Sequence, residues 1–222
     1  MMTSSNEDIT RIDSEELIKE SSEIRYILNI IGDTKFDNEF SINNKGINYI
    51  LGNDSKIISK IYELIIIDTL KKLLYSKGFE YIENDIQNKY PDFIIKSKIQ
   101  TDKYYAIDIK STYLKTETQI NGFTLGTYKG YFKNRDCLTS IVKPYNNFNK
   151  HFCICIIYER LANKIPVKHI MVREKWEIAR NSTGSGNTCN IGSIKSLKDL
   201  LANKSHFENE DAFDTFWLGY KC

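Results

Sequence analysis

A chain of 222 residues, 41% hydrophobic and 27% charged, has the make-up of one large soluble domain, and no apolar run nears the roughly 20 residues that a membrane span needs. A formal net charge of +2 neither demands nor excludes nucleic acid, because so small a surplus says nothing about local clusters of Lys and Arg. The polar start "MMTSSNEDITRIDSEEL" has no secretory character, the five cysteines lack CxxC spacing and read as reduced thiols, and three scattered histidines argue against zinc, which together predict a cytoplasmic protein without membrane association.

Asp13 followed by Glu16 resembles a capping box, and Leu17, Ile24, Leu28 and Ile31 keep helical spacing, which predicts a first helix over 14–31 ended by Gly32. "EFSINNKGINYI" reads as a hairpin turning about Asn43 to Gly46. The longest helical pattern, "NDSKIISKIYELIIIDTLKKLLYSKG", has caps at Asn53 to Ser55 and a stop at Gly78; it is apolar on more than one face and is expected to be largely buried. "FEYIE", "DFIIK", "YYAIDIKSTY", "FCICIIYE" and "VKHIMVRE" follow as strands, the fourth apolar enough to be covered on both faces, so a central mixed sheet is predicted. "NSTGSGNTCNIGS", 181–193, reads as a loop, and "KSLKDLLANK" and "DAFDTFWLGY" close the chain as helices. No repeat or low-complexity linker marks an internal boundary.

The chemistry lies in "YPDFIIKSKIQTDKYYAIDIKS", two β-rich runs joined by a polar turn. A turn centred near Gln100 sets Asp92 opposite Asp108 on one side of the sheet, and Lys110, two residues on, projects from that same side. Adjacent carboxylates repel unless a proton or a cation lies between them, and an oxygen-rich site without histidine suits a hard divalent ion such as Mg2+. With a nearby ammonium, such a site has the parts for phosphodiester hydrolysis. The plainer reading is that Asp92 caps a turn after Pro91 while Asp108 and Lys110 line a solvated strand face.

Pro-Asp, fifteen intervening residues, then Asp-Ile-Lys resembles the signature of the PD-(D/E)xK nuclease superfamily. "QNKYPDF", "AIDIKSTY", "FTLGTY" and "GSGNTCNIGSI", in that order, are similar to the EcoRV family of type II restriction endonucleases from about Gly46 to Tyr220. The resemblance implies an α/β, restriction-endonuclease-like core, a central mixed β-sheet flanked by helices, over 51–222, and a small N-terminal dimerisation unit of helix and hairpin over 1–50. It implies Asp92, Asp108 and Ile109 as metal-site residues, Lys110 as the catalytic lysine, and Glu63 as an accessory acid and metal ligand, where a lone helical glutamate is otherwise a solvated residue. Gly184, Ser185, Gly186, Asn187 and Thr188 become a base-reading loop in the major groove; a phosphate cradle is the other reading of "GSGN", but its strand-turn-helix fingerprint is incomplete. Small residues let backbone approach base edges, Asn can bond adenine through donor and acceptor, and Thr can touch a thymine methyl. Gln87 and Asn88 resemble a second loop near the minor groove, and Ser111 and Thr112 extend the catalytic strand toward DNA, with Ser111 standing where the family has a threonine. The resemblance also implies a basic segment beyond Cys222.

The expected activity is that of a homodimeric, Mg2+-dependent type II endonuclease cutting double-stranded DNA at GATATC to blunt ends with 5′-phosphates. A cognate DNA methyltransferase would act on the same site without stable binding. The alternatives are a structure-specific repair or recombination nuclease of the same superfamily, which would lack the base-reading loop, and a degenerate DNA-binding module, against which the intact acid, acid and lysine set argues.

Overall fold

The apolar runs between 81 and 174 assemble into one five-stranded mixed sheet in a computed structural model that describes residues 4–36, 40–50, 52–86, 89–126, 130, 132, 134–136, 138, 140–161, 164–184 and 189–221, with backbone alone over 4–13. Strands β3 (Tyr81–Glu83), β4 (Phe93–Lys96), β5 (Tyr104–Tyr113), β6 (Phe148–Tyr158) and β7 (Val167–Glu174) lie side by side in chain order. All neighbours are antiparallel except β5 and β6. That parallel pair needs the long crossover 114–147, since two parallel strands cannot be joined by a tight turn.

Strand period two sorts the side chains into two cores. Ile94, Ala106, Cys153, Cys155 and Met171 face the crossover residues Phe123, Phe132 and Tyr145 and the C-terminal Phe213 and Trp217. Phe93, Ile95, Tyr105, Ile107, Ile109, Phe152, Ile154 and Ile156 face the helices α1 (Ser4–Ile30) and α2 (Ser55–Ser76). β6 is buried on both sides, as its continuous apolar run predicted.

Helix α1 starts ten residues before the expected 14, because each added residue gains a helical hydrogen bond without a new nucleation cost once 24–31 are anchored. It closes in a 3-10 turn, Ile31–Asp33, that contains Gly32. The hairpin β1 (Ser41–Asn44) and β2 (Ile47–Ile50) turns at Lys45 and Gly46, both at positive φ (51° and 84°), and every residue of its strands is exposed. Asp54 caps α2, its side chain accepting from the N–H groups of Lys56 and Ile57. Only one stripe of α2 is buried, Ile58, Tyr62, Ile66, Leu70 and Leu74, whereas Ile57 and Leu64 are exposed. The expectation of a largely buried helix is thus corrected, since no described element covers its second apolar face.

The predicted loop over 181–193 is also narrowed. β8 (Ala179–Thr183) and β9 (Ile191–Ser193) pair antiparallel, so both ends of that stretch are strand and not loop. A short helix α3 (Lys175–Ile178) precedes them, and α4 (Leu197–Leu201) and α5 (Glu210–Gly219) end the chain. No helix among the described residues is long and apolar enough to cross a membrane.

One buried acid fastens α1 to the sheet. The Glu20 carboxylate accepts from Ser97 Oγ (2.6 Å), Tyr105 OH (2.9 Å) and the Lys98 N–H at the β4–β5 turn. Glu20→Ala takes the acceptor away from the buried Tyr105 and Ser97 hydroxyl protons and from the Lys98 N–H, and is expected to destabilise the protein by about 2–3 kcal/mol in urea unfolding; a change within experimental error would show that the bond network carries no stability.

Candidate active site

Phe93 faces Ile107 and Ile94 faces Ala106, the register that the Gln100 turn predicted, so Asp92 at the mouth of β4 stands opposite Asp108 in β5. Asp92 Oδ2 accepts the Ile109 N–H at 2.7 Å. Asp108 is 2% exposed, and its Oδ1 accepts from Lys110 Nζ at 2.6 Å; the same ammonium lies 3.7 Å from Asp92 Oδ2. Acid, acid and lysine therefore meet at one strand end.

The electrostatics follow from partial burial. Removal from water pushes the Asp92 pKa up to about 7, and the Asp108 charge adds to the rise against the pull of Lys110 and the Ile109 N–H. Burial alone would strip the Lys110 proton, but the Asp108 and Asp92 carboxylates outweigh it and hold the ammonium above its usual range. Lys110 here is a counter-ion. Asp108 Oδ2 is buried and has no hydrogen-bond partner among the described residues, an acceptor that native interiors rarely leave unused. Two carboxylates with one oxygen free fit a hard divalent cation, which needs few protein ligands when waters and phosphate oxygens complete its shell.

The other expected residues are brought together only in part. Glu63 lies on α2, and its Oε1 pairs with Lys60 Nζ at 2.5 Å; among the described residues no third His, Cys, Asp or Glu side chain joins the pair. Ile109 contributes its N–H to Asp92 while its side chain enters the helix-side core. Ser111 Oγ lies 2.6 Å from Ser59 Oγ, tying β5 to α2 one turn before Glu63. Thr112 is buried, and its hydroxyl donates to the Gly122 carbonyl at 3.0 Å. Gly184 closes the neck of the glycine-rich tip, its N–H donating to Asn190 O at 2.8 Å. Ser185, Gly186, Asn187, Thr188, Gln87 and Asn88 lie outside the described residues.

Three supports escaped the sequence reading. Asn84 Nδ2 donates to both Lys89 O (2.6 Å) and Pro91 O (2.8 Å), so one side chain brackets the 87–88 loop and steadies the residue before Asp92. Its turn context was the available signal. Ser193 Oγ accepts the Phe123 N–H (2.6 Å) and Gly126 O accepts the Ile191 N–H (2.9 Å), so hydrogen bonds run from Thr112 through 122–126 to β9. At Gly192 an added Cβ would lie 2.4 Å from Ser182 O, a backbone atom that cannot move without opening the β8–β9 neck.

The raised Asp92 pKa gives a linkage of defined sign. Its proton is held by the folded chain and released by the unfolded one above the ordinary carboxylate range, so this group's stabilisation is present at low pH and is lost as pH rises through about 7. A divalent cation that takes the proton's place should therefore raise Tm more at about pH 8 than at about pH 5.5. Asp92→Asn should remove the difference. Equal shifts for the wild-type protein at both pH values would contradict the assignment of the site to a cation.

Comparison with known proteins agrees with this geometry. The family model described as restriction endonuclease EcoRV matches residues 33–222. The Type II restriction enzyme EcoRV of Escherichia coli is 34% identical over 206 residues, covering 84% of this chain and 83% of that one. Among solved structures the NlaIV restriction endonuclease superposes with a TM-score of 0.56 at 14% identity, over 88% of this chain and 77% of its own, which speaks for the fold alone. A match that spans the sheet, the acidic pair and both flanking loops makes this chain a member of the EcoRV family of restriction endonucleases.

Proposed function

We propose that the chain is a homodimeric, Mg2+-dependent type II deoxyribonuclease that cuts double-stranded DNA at GATATC, leaving blunt ends with 5′-phosphates. The observation that carries this reading is the unpaired, buried Asp108 Oδ2 facing a second carboxylate beside a charged lysine. Asp92, Asp108 and the Ile109 carbonyl would hold the ion, with Glu63 an accessory acid from α2. Mg2+ there supplies a lowered pKa for bound water and offsets charge on a phosphoryl oxygen. Lys110, held as an ammonium beside Asp108, would be placed to hydrogen-bond the attacking water or the scissile phosphate.

A palindrome calls for a two-fold protein. The exposed Ile42, Ile47, Tyr49 and Ile50 of the hairpin, with Ile57 and Leu64 of α2, support a second copy as the cover, because a lone two-stranded ribbon is marginal in water. The N-terminal unit over 1–50 would then serve dimerisation and 51–222 cutting and reading. The Gly184 to Thr188 tip reads the outer bases in the major groove, and Gln87 and Asn88 lie by the minor groove. Selection of the central TA step would rest on Ser111 and Thr112 and on the ease with which that step unstacks. The protein would work in the cytoplasm beside a methyltransferase that marks the same site.

Purified protein incubated with a sequenced plasmid and Mg2+ should yield ends at GATATC flush on both strands; staggered ends, or a map unrelated to that site, would overturn the specificity. Asp108→Ala should stay folded, since it removes one of two repelling charges, and lose at least about a thousandfold in rate. Gly192→Ala forces the neck open, and should weaken discrimination against a one-base change by at least about tenfold while salt-sensitive binding to random duplex persists. Equal losses on cognate and random DNA would separate the neck from base reading.

A further inference from the structure

Lys175, the first residue of α3, is 1% exposed, a burial that charged side chains rarely reach. Burial works to strip its proton, and the nearby Asp108 carboxylate works to keep it. Its Nζ lies 3.6 Å from the centroid of the Tyr90 ring. Tyr90 stands two residues ahead of Asp92, and every other part of it is also held. Its N–H donates to Ser140 O and its carbonyl accepts from Val142 N, at 3.0 and 2.8 Å. Its hydroxyl is hydrogen-bonded to His151 Nδ1 at 2.8 Å, and the imidazole stacks on Tyr145 at 4.2 Å. Burial, with Lys175 and Arg135 nearby, keeps His151 neutral, as a good stacking partner and hydrogen-bonding ring.

A methionine would fill the Lys175 volume with no charge to desolvate. The cation is therefore costly unless its charge is used, and one of the contacts it makes is with the face of the Tyr90 ring. We propose that Lys175 is a positioning residue for the acidic pair: through its contact with the Tyr90 ring it fixes the chain that delivers Asp92 against Asp108. This rests on the reading of those two carboxylates as cation ligands. Lys175 touches neither substrate nor ion, and its effect passes through Tyr90.

The test reads Mn2+ binding to DNA-free protein by electron paramagnetic resonance, beside the cleavage rate on a plasmid and Tm. Lys175→Met and Tyr90→Leu should each weaken Mn2+ binding at least about fivefold, and the double variant should be no worse than either alone, as expected when two residues act as one contact. Tyr90→Phe, which keeps the ring face and drops the hydroxyl, should bind Mn2+ within about twofold of wild type. If Lys175→Met binds as wild type does, or more tightly because a buried positive charge has gone, the inference is overturned. Should Lys175→Met fail to fold, the Tyr90 pair decides: equal affinities for Phe and Leu overturn it, and a loss confined to Leu sustains it. A wild-type protein that neither binds Mn2+ nor cuts DNA removes the cation reading and this inference together, whereas an active wild type with unaffected variants removes this inference alone.

Discussion

The register of β4 on β5, with Phe93 against Ile107, is the constraint on which the site depends. Because side chains alternate, a slip of one residue would turn Asp108 and Lys110 into the helix-side core and bring Ile107 and Ile109 out in their place. Both cores resist that slip. Ile107 and Ile109 are bound into the cluster with α1 and α2, while Ala106 belongs to the cluster under the crossover. The burial of ordinary aliphatic side chains on two faces is thus what aims two carboxylates at each other.

Aiming them is unfavourable in itself, and the molecule meets this with cations on several scales. Lys110 bridges the pair within the strand. Lys175 lies deeper, beneath Tyr90. The Ile109 N–H offers Asp92 a partial positive charge from the backbone. None of these is hydrogen-bonded to Asp108 Oδ2, the one carboxylate oxygen of the pair left buried without a partner among the described residues.

The strand pattern and the turn at Gln100 were enough to read the central sheet and the opposition of Asp92 to Asp108, because both follow from local periodicity. The Asp54 cap and the Lys45–Gly46 turn were legible for the same reason. Features that depend on what packs against what were not. Ile57 and Leu64 extend the apolar pattern of α2 beyond its buried stripe, and the periodicity alone does not say that they stay exposed. The pairing of β8 with β9 was hidden by small polar residues whose strand character comes from a close approach at Gly192. Thr112 looks like a residue pointing to a ligand, and only the position of Gly122 reveals its hydroxyl as an internal tie. A lysine in "REKWE" carries no sign that it will be buried beneath a tyrosine from 85 positions earlier.

The crossover between β5 and β6 separates two kinds of assembly by chain distance. The acidic pair is built from a short hairpin, so its contacts can form early from neighbouring residues. The β8–β9 neck is held by segments far apart in sequence, 122–126 against β9, and must wait for the crossover to return and β6 to insert. A nascent chain would thus set Asp92 opposite Asp108 before the β8–β9 neck can close on 122–126. The same insertion of β6 buries Asp108 against Cys153, so the acidic pair reaches its enclosed setting only once the crossover has returned.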